Sequence, residues 1–185
     1  IKINSIVFSG NQNFSDRALG QAIVSRERRW WAFLTPNDKY DEGRLDYDVR
    51  LLRQFYLARG YADINVSRAR GGLLPDRSGF AITFLIDEGL RYKVNKIDIT
   101  SEIENIDLDT LKNLMLFGKD SWYDVRLLEQ GLLDITNQLG VFGYAFVDVT
   151  PEITTDTTTG MLDIAIKIGH ARRNFVERIE FVDNT

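Results

Sequence analysis

An internal repeat constrains the fold of this 185-residue chain more than any other feature. A Gly-Tyr-Ala triplet begins at Gly60 and again at Gly143, an offset of 83 residues. A Tyr-Asp pair precedes each triplet at the same interval, starting at Tyr40 and at Tyr123. A fixed offset over which several residue types recur indicates that one supersecondary unit is used more than once. We therefore expect two small cores of similar design.

Between each Tyr-Asp pair and its triplet, apolar residues recur at spacings of four, three and four. They are Leu45, Val49, Leu52 and Tyr56 in the first copy and Leu128, Leu132, Ile135 and Leu139 in the second. This spacing predicts a long helix that buries one face. The glycine that follows is typical of a helix C-terminus and favours a left-handed backbone conformation there.

After each triplet the apolar pattern changes to period two, which is typical of β-strands. The first such strand is predicted over Tyr61–Arg68 and over Tyr144–Thr150. A more apolar strand follows over Phe80–Ile86 in the first copy and Leu162–Ile168 in the second. Two strands joined by a short loop are expected to pair as an antiparallel hairpin.

Each copy also begins with a short strand pattern, and that pattern occurs three times. Its central isoleucine is Ile6, then Ile97, then Ile179. A short helix is predicted after the first two, with Ser15 and Asp107 as their N-caps.

These elements divide the chain into two complete copies and the start of a third. The first copy covers 1–89, the second covers 90–172, and 173–185 supply the first strand of a truncated third. The order strand, helix, helix, strand, strand predicts an α+β fold with two antiparallel helices on one face of a three-stranded mixed sheet. We predict the strand order 1-3-2, because the last strand is the most apolar. The first copy alone has a long inter-helix loop, which contains Trp30 and Trp31.

Composition and motifs exclude several function classes. The absence of cysteine excludes disulfides and thiol chemistry, and the formal net charge of −4 argues against nucleic acid as a partner. The single histidine, His170, has no accompanying catalytic motif, and no phosphate-binding or metal-binding motif occurs. We therefore predict no enzyme activity, no cofactor and no metal.

No apolar run in the sequence approaches the roughly 20 residues that a membrane-spanning helix needs. The chain begins at Ile1 without an initiator methionine, so we expect a piece of a longer protein.

The arrangement of these elements over the whole chain resembles that of POTRA (polypeptide-transport-associated) domains. The resemblance rests on the opening at Ile3–Asn11 and on the helix end at Phe55–Ala62. Such domains form tandem arrays before the membrane β-barrel of BamA-type outer-membrane assembly proteins. The segment with Trp30 and Trp31 resembles the third domain of those arrays, which makes the second copy the fourth.

This resemblance implies a non-enzymatic periplasmic module, followed C-terminally by further POTRA domains and a barrel. The implied partners are accessory assembly lipoproteins and unfolded outer-membrane proteins. Such partners can bind by β-augmentation, in which an extended chain pairs with an exposed edge strand. The predicted contact residues belong to the second strand of each copy. They are Tyr61, Asp63, Ile64, Asn65, Val66, Asp148 and Val149.

Other interpretations remain open. Polar residues and Pro151 on these strands are also what protects an edge from aggregation. Trp30 and Trp31 are candidate partner anchors, because tryptophan is enriched at binding hot spots, but they can also close a gap beneath a long loop. Alternative functions are the POTRA array of a related translocation or two-partner secretion transporter, a mechanical spacer, and a single-stranded RNA-binding module. The last would need a Gly-x-x-Gly clamp, which this sequence lacks.

Overall fold

The computed structural model describes residues 3–25, 41–69, 72–73, 80–144 and 146–170. The first copy consists of β1 (Ile3–Ser9), α1 (Asp16–Ala22), α2 (Glu42–Leu57), β2 (Asn65–Arg68), β3 (Gly72–Leu73) and β4 (Phe80–Asp87). The second consists of β5 (Lys93–Ser101), α3 (Leu108–Lys112), α4 (Val125–Val141), β6 (Val147–Asp156) and β7 (Met161–His170).

Each copy builds one mixed sheet with its last strand at the centre. β4 pairs with β1 in parallel and with β2 antiparallel, and β7 pairs with β5 and β6 in the same way. The predicted strand order 1-3-2 is therefore confirmed in both copies. The first sheet differs in one respect, since the two-residue β3 also pairs with β4.

The second strands begin later than the alternating pattern predicts. β2 begins at Asn65 and not at Tyr61, and β6 begins at Val147 and not at Tyr144. In the first copy the residues before the strand form a turn, in which the Ile64 N–H donates to the Tyr61 C=O at 3.4 Å. Tyr61 and Ile64 still enter the core, and Ile64 lies two residues before Val66, so the turn continues the apolar spacing of the strand. β6 also extends to Asp156, well beyond the predicted end.

The long helices bury the predicted faces. Leu52 and Ile135 are fully buried at equivalent positions. The glycines after the helices have φ angles of +100° at Gly60 and +87° at Gly143, which confirms the predicted left-handed conformation. After α4 the Tyr144 N–H donates to the C=O of Leu139 at 3.0 Å, the long bond of a Schellman motif.

The predicted N-caps of the short helices are also confirmed. The Ser15 hydroxyl accepts the Ala18 N–H at 3.3 Å, and the Asp107 carboxylate accepts the N–H groups of Asp109 and Thr110. The Thr110 hydroxyl and these backbone bonds hold the pKa of Asp107 below its ordinary value.

A buried carboxylate, Glu88, holds the turn between β1 and α1 in the first copy by hydrogen bonds. It accepts the N–H groups of Gln12 and Asn13 at 3.0 and 3.1 Å, the side-chain amide of Asn13, and the Tyr56 hydroxyl at 2.8 Å. Burial and Glu88 raise the pKa of Tyr56, so its hydroxyl stays a donor. The equivalent positions in the second copy hold His170 and Leu139. This network is therefore specific to the first copy.

A second buried carboxylate, Asp48, joins α2 to the end of α1. It accepts the Val24 N–H at 2.7 Å and the Ser25 N–H at 3.2 Å. The equivalent residue of the second copy is Gly131, and a Cβ there would lie only 2.7 Å from the Met115 sulfur. In the second copy, the Met115 side chain thus takes the place that the Asp48 carboxylate has in the first copy.

Candidate partner-binding edges

β6 is a long edge strand. It spans ten residues, and β7 is the one described strand with which it pairs. Edge strands present main-chain N–H and C=O groups that can pair with another extended chain, and proteins usually keep them short. β6 is therefore the best candidate for a partner-binding edge among the described strands.

The hydrogen-bond pattern shows which residues of β6 face outward. The C=O of Ile168 accepts the Glu102 N–H at 2.9 Å, so Ile168 turns its main chain toward β5. Ile168 is paired with Val149, which must then turn its own N–H and C=O away from β7. Because strands repeat every two residues, the outward positions follow. They are Val147, Val149, Pro151, Ile153 and Thr155.

Pro151 interrupts this outward edge. Proline has no N–H, and it is tolerated in a strand where that group would point away from the sheet. It divides the outward N–H groups into one pair at Val147 and Val149 and another at Ile153 and Thr155. The side chains of Val147 and Val149 pack partly against the second core, whereas those of Pro151 and Ile153 are exposed.

β2 is a much smaller edge. The Ala69 N–H donates to the Thr83 C=O at 2.9 Å, so the odd-numbered residues here face β4. Val66 and Arg68 are the two residues of β2 that turn their main chain outward. The Arg68 side chain pairs with Asp46 of α2 at 2.9 Å and lies beside this short edge. β2 therefore offers an incoming strand far less than β6 does.

The predicted contact residues do not all lie on these edges. Asn65 and Val66 lie in β2, and Asp148 and Val149 lie in β6. Tyr61, Asp63 and Ile64 precede β2, so their assignment to an edge strand is wrong. Tyr61 and Ile64 are 6% and 4% exposed and belong to the first core. Trp30 and Trp31 lie outside the described residues.

Asp63 instead lies at the joint between the two copies. Its carboxylate accepts the Tyr92 hydroxyl at 2.5 Å and the Thr155 hydroxyl at 3.2 Å. The Tyr92 N–H also donates to the Gly60 C=O at 2.8 Å. Burial and Asp63 raise the pKa of Tyr92, which keeps its hydroxyl a donor. Because Thr155 belongs to β6, the C-terminal end of that edge is held by the first copy.

Arg91 forms the other side of the joint. Its Nε donates to the Arg59 C=O at 2.8 Å, and its guanidinium lies 4.0 Å from the centre of the Trp122 ring. This distance is typical of a cation–π interaction. A Cβ on Gly60 would lie 2.9 Å from the Arg91 side chain, so the two copies approach closely here. The joint is thus a packed contact with several hydrogen bonds.

The second sheet also carries polar side chains near its C-terminal edge. His170 borders a shallow depression with Glu102, Asp148 and Lys167. Across the described residues, no group of His, Asp and Glu side chains is placed to hold a metal ion. Among the same residues, no helix has the length and apolar character needed to span a bilayer.

A comparison with protein families bears on both copies. The family model for POTRA, described as a surface antigen variable number repeat, matches residues 1–89 and again residues 92–169. The chain belongs to the POTRA family. Each match falls on one of the two β-α-α-β-β copies, so the internal repeat is a repeat of POTRA domains.

Curated proteins similar to this POTRA pair are outer-membrane protein assembly factors. BamA of Neisseria meningitidis serogroup B is 26% identical over 183 residues, covering 99% of this chain and 23% of the relative. BamA of Neorickettsia risticii is 28% identical over 185 residues, covering 99% of this chain and 24% of the relative. The POTRA pair therefore spans about a quarter of the length of these relatives.

Solved structures share the fold of this POTRA pair. POTRA3-5 of Haemophilus influenzae BamA has a TM-score of 0.74 at 21% identity, covering 100% of this chain and 72% of that one. BamA from Haemophilus ducreyi lacking POTRA domains 1-3 has a TM-score of 0.67 at 19% identity, covering 92% of this chain and 29% of that one. These similarities support the fold as two tandem POTRA domains.

Proposed function

We propose that this POTRA pair belongs to the periplasmic arm of a BamA-like outer-membrane assembly factor and acts there as a scaffold and transient chaperone. Similarity to BamA proteins over almost the whole chain supports this setting. In it, the pair docks accessory lipoproteins and unfolded outer-membrane proteins without performing catalysis. Further POTRA domains and a membrane β-barrel follow on its C-terminal side, and the pair takes the third and fourth places of the array.

The observation that carries the docking proposal is the outward-facing edge of β6. An extended client that lies along it pairs main chain with main chain, so affinity depends little on the client's sequence. That property suits a module that handles many different unfolded chains. β6 is favoured over β2 because it presents five outward residues, from Val147 to Thr155, whereas β2 presents two.

The side chains of β6 also suit a strand from an outer-membrane barrel. Val147 and Val149 lie on the core-facing side of the sheet, while Asp148 and Thr150 are exposed on the other side. Barrel strands alternate apolar and polar residues with the same period. A client strand added to β6 can therefore place its apolar residues beside the valines and its polar residues beside Asp148 and Thr150.

The substitution Val149→Pro tests this docking directly. It removes one outward N–H, whereas the ladder to β7 does not use that group and Pro151 shows that the strand accepts proline at such a position. One net hydrogen bond is worth about 0.5–1.5 kcal/mol, which corresponds to roughly 2- to 12-fold weaker binding. Fluorescence anisotropy with a labelled peptide copied from one barrel strand measures the change.

Val149→Thr is the matched control, because it keeps the N–H and nearly the same side-chain shape. We expect it to bind the peptide as the wild type does. Equal affinity of the wild type and Val149→Pro would refute docking at this edge.

A rigid spacer is a second candidate function, favoured by the joint at Asp63, Tyr92 and Arg91. Such a spacer would hold its neighbours at a set distance and angle without touching clients. It predicts no binding of the barrel-strand peptide by the wild type in the same assay.

A further inference from the structure

Three cationic residues lie at the joint between the two domains, and we call them the joint cations: Arg59, Arg91 and Lys93. The Nε of Arg91 donates to the Arg59 C=O at 2.8 Å, and the Arg91 guanidinium lies 4.0 Å from the centre of the Trp122 ring. The Lys93 ammonium lies 5.0 Å from the centre of the same ring. Arg91 is exposed and Trp122 is 44% exposed, so a partner can reach this part of the joint.

Among the described residues, no carboxylate lies within ion-pair distance of the joint cations. The acidic side chains of this region already accept from other donors. Asp124 is paired with Arg126 at 2.7 Å, Asp63 accepts two hydroxyl groups, and Glu88 is buried in the network of the first domain. The joint therefore carries an excess of positive charge, although the formal net charge of the chain is −4.

Arg59 shows the effect of this excess charge. Its guanidinium lies 3.6 Å from the centre of the Phe55 ring, and its Nη1 donates to the Phe55 C=O at 2.7 Å. Burial and the Arg126 guanidinium of the second domain lower the pKa of Arg59, and Asp124 offsets part of that effect. A carboxylate bound at the joint would reduce the repulsion between these cations.

The Arg91 guanidinium is held in an orientation that suits a carboxylate. Its Nε hydrogen bond and its stacking on Trp122 fix the plane of the group. Its terminal NH₂ groups have no hydrogen-bond acceptor among the described residues. Arginine binds carboxylates through two parallel N–H···O bonds. Because the plane is already fixed, less side-chain entropy is lost when a carboxylate binds.

We propose that the joint cations and Trp122 form a docking surface for an acidic segment of a partner protein. Carboxylates of that segment pair with Arg91 and Lys93, and an apolar side chain beside them packs on the Trp122 ring and on Leu90, which is 46% exposed. An acidic peptide is favoured over an anionic membrane, because the positive charge is local and a membrane of anionic lipids repels the negatively charged chain as a whole. This surface uses side chains at the joint, whereas client docking uses the main chain of β6, so either proposal can fail while the other stands.

The test measures binding of a labelled hexaglutamate peptide to the 185-residue chain by fluorescence anisotropy at low ionic strength, with hexaglutamine as the neutral peptide. We expect hexaglutamate to bind roughly tenfold or more tightly than hexaglutamine, and its affinity to fall as salt is added. Arg91→Gln should weaken hexaglutamate binding roughly tenfold, because it removes a bidentate pair with a carboxylate. Arg50→Gln is the matched control, since it removes the same charge from an exposed arginine that lies 5.5 Å from the centre of the Tyr47 ring. We expect it to bind hexaglutamate as the wild type does.

Two further variants separate peptide binding from loss of the joint, because Arg91→Gln also removes the hydrogen bond to the Arg59 C=O. The Lys93 side chain makes no hydrogen bond among the described residues, so Lys93→Gln leaves the hydrogen bonds of the joint in place. We expect Lys93→Gln to weaken hexaglutamate binding several-fold. Arg91→Lys, which keeps the charge without the planar group, should have an affinity between those of the wild type and Arg91→Gln.

Three results would overturn the proposal. One is equal affinity of the wild type, Arg91→Gln and Lys93→Gln for hexaglutamate. Another is an equal loss of affinity in Arg50→Gln and Arg91→Gln, because the peptide would then respond to overall charge and not to the joint. The third is cosedimentation with phosphatidylglycerol vesicles that Arg91→Gln abolishes, without any binding of hexaglutamate by the wild type, because the occupant would then be an anionic membrane.

Discussion

Replacing Glu88 by glutamine should destabilise the first POTRA domain and leave the second unaffected. The carboxylate accepts hydrogen bonds from two backbone N–H groups, from the Asn13 amide and from the Tyr56 hydroxyl, and it is only 6% exposed. Glutamine keeps one oxygen and turns an NH₂ group toward a site made of donors. The variant therefore loses charge-assisted bonds and leaves buried donors without an acceptor.

The expected loss is large compared with the stability of so small a domain. Hydrogen bonds to charged groups contribute about 1.5–3 kcal/mol each, and an unsatisfied buried donor costs about 1–3 kcal/mol. Because the remaining oxygen of glutamine still accepts some of these hydrogen bonds, we expect the free energy of unfolding to fall by about 2–4 kcal/mol. A domain of this size has a free energy of unfolding of roughly 4–13 kcal/mol, and its melting temperature falls by roughly 4–8 °C for each kcal/mol lost.

Hydrogen exchange with mass spectrometry resolves the two domains. Peptides from β4 report on the first and peptides from β7 on the second. We expect Glu88→Gln to speed exchange in β4 and not in β7, and Tyr56→Phe to have a smaller effect because it removes one donor. Glu152→Gln, at an exposed pair with Lys167, is the matched control and should behave as the wild type. Unchanged protection of β4 in Glu88→Gln would refute the reasoning.

The β6 edge, the joint between the two domains and two buried tyrosines each give a further prediction. Pro151→Val adds an outward N–H to β6 and should tighten binding of the barrel-strand peptide by roughly 2- to 12-fold; unchanged affinity would count against pairing along the whole edge. Asp63→Ala removes the acceptor for Tyr92 and Thr155, so the distance between spin labels placed in the two domains, in a chain without native cysteine, should become more broadly distributed. Burial raises the pKa of Tyr92, and raises that of Tyr123 to about 12. Their contribution to stability is thus complete below about pH 10 and lost as the pH rises through the folded-state values. An absorbance titration of tyrosinate should show a fraction that ionises only at such high pH, and ionisation of all seven tyrosines together near pH 10 would contradict this.

Local pattern and repetition were enough to predict the architecture of each domain. The spacing that includes Leu52 and Ile135 predicted the buried helix faces, and the apolar excess of β4 and β7 predicted their central position. The glycine at the end of each long helix predicted a left-handed residue. These features depend on neighbours along the chain, so a sequence shows them directly.

The features that depend on distant partners could not be predicted from spacing. Glu88 belongs to no repeated motif and Asp63 was predicted to lie on an edge strand, because nothing nearby in the sequence shows their partners at Asn13, Tyr56 and Tyr92. One signal was available in the repeat itself. Glu88 and Tyr56 change together, to His170 and Leu139, between the copies, as expected for a pair in contact. The late start of β2 was missed because Ala62 and Ile64, which lie in the turn, continue the two-residue apolar spacing that leads to Val66.

Amide exchange along β6, measured by NMR with and without a barrel-strand peptide, tests the central claim most directly. In the free protein the inward N–H groups of Asp148, Thr150 and Glu152 should exchange slowly, and the outward ones of Val147, Val149 and Ile153 should exchange fast. The account predicts that saturating peptide slows the outward amides while the inward ones stay protected. Outward amides that exchange at the same rate with and without bound peptide would contradict it.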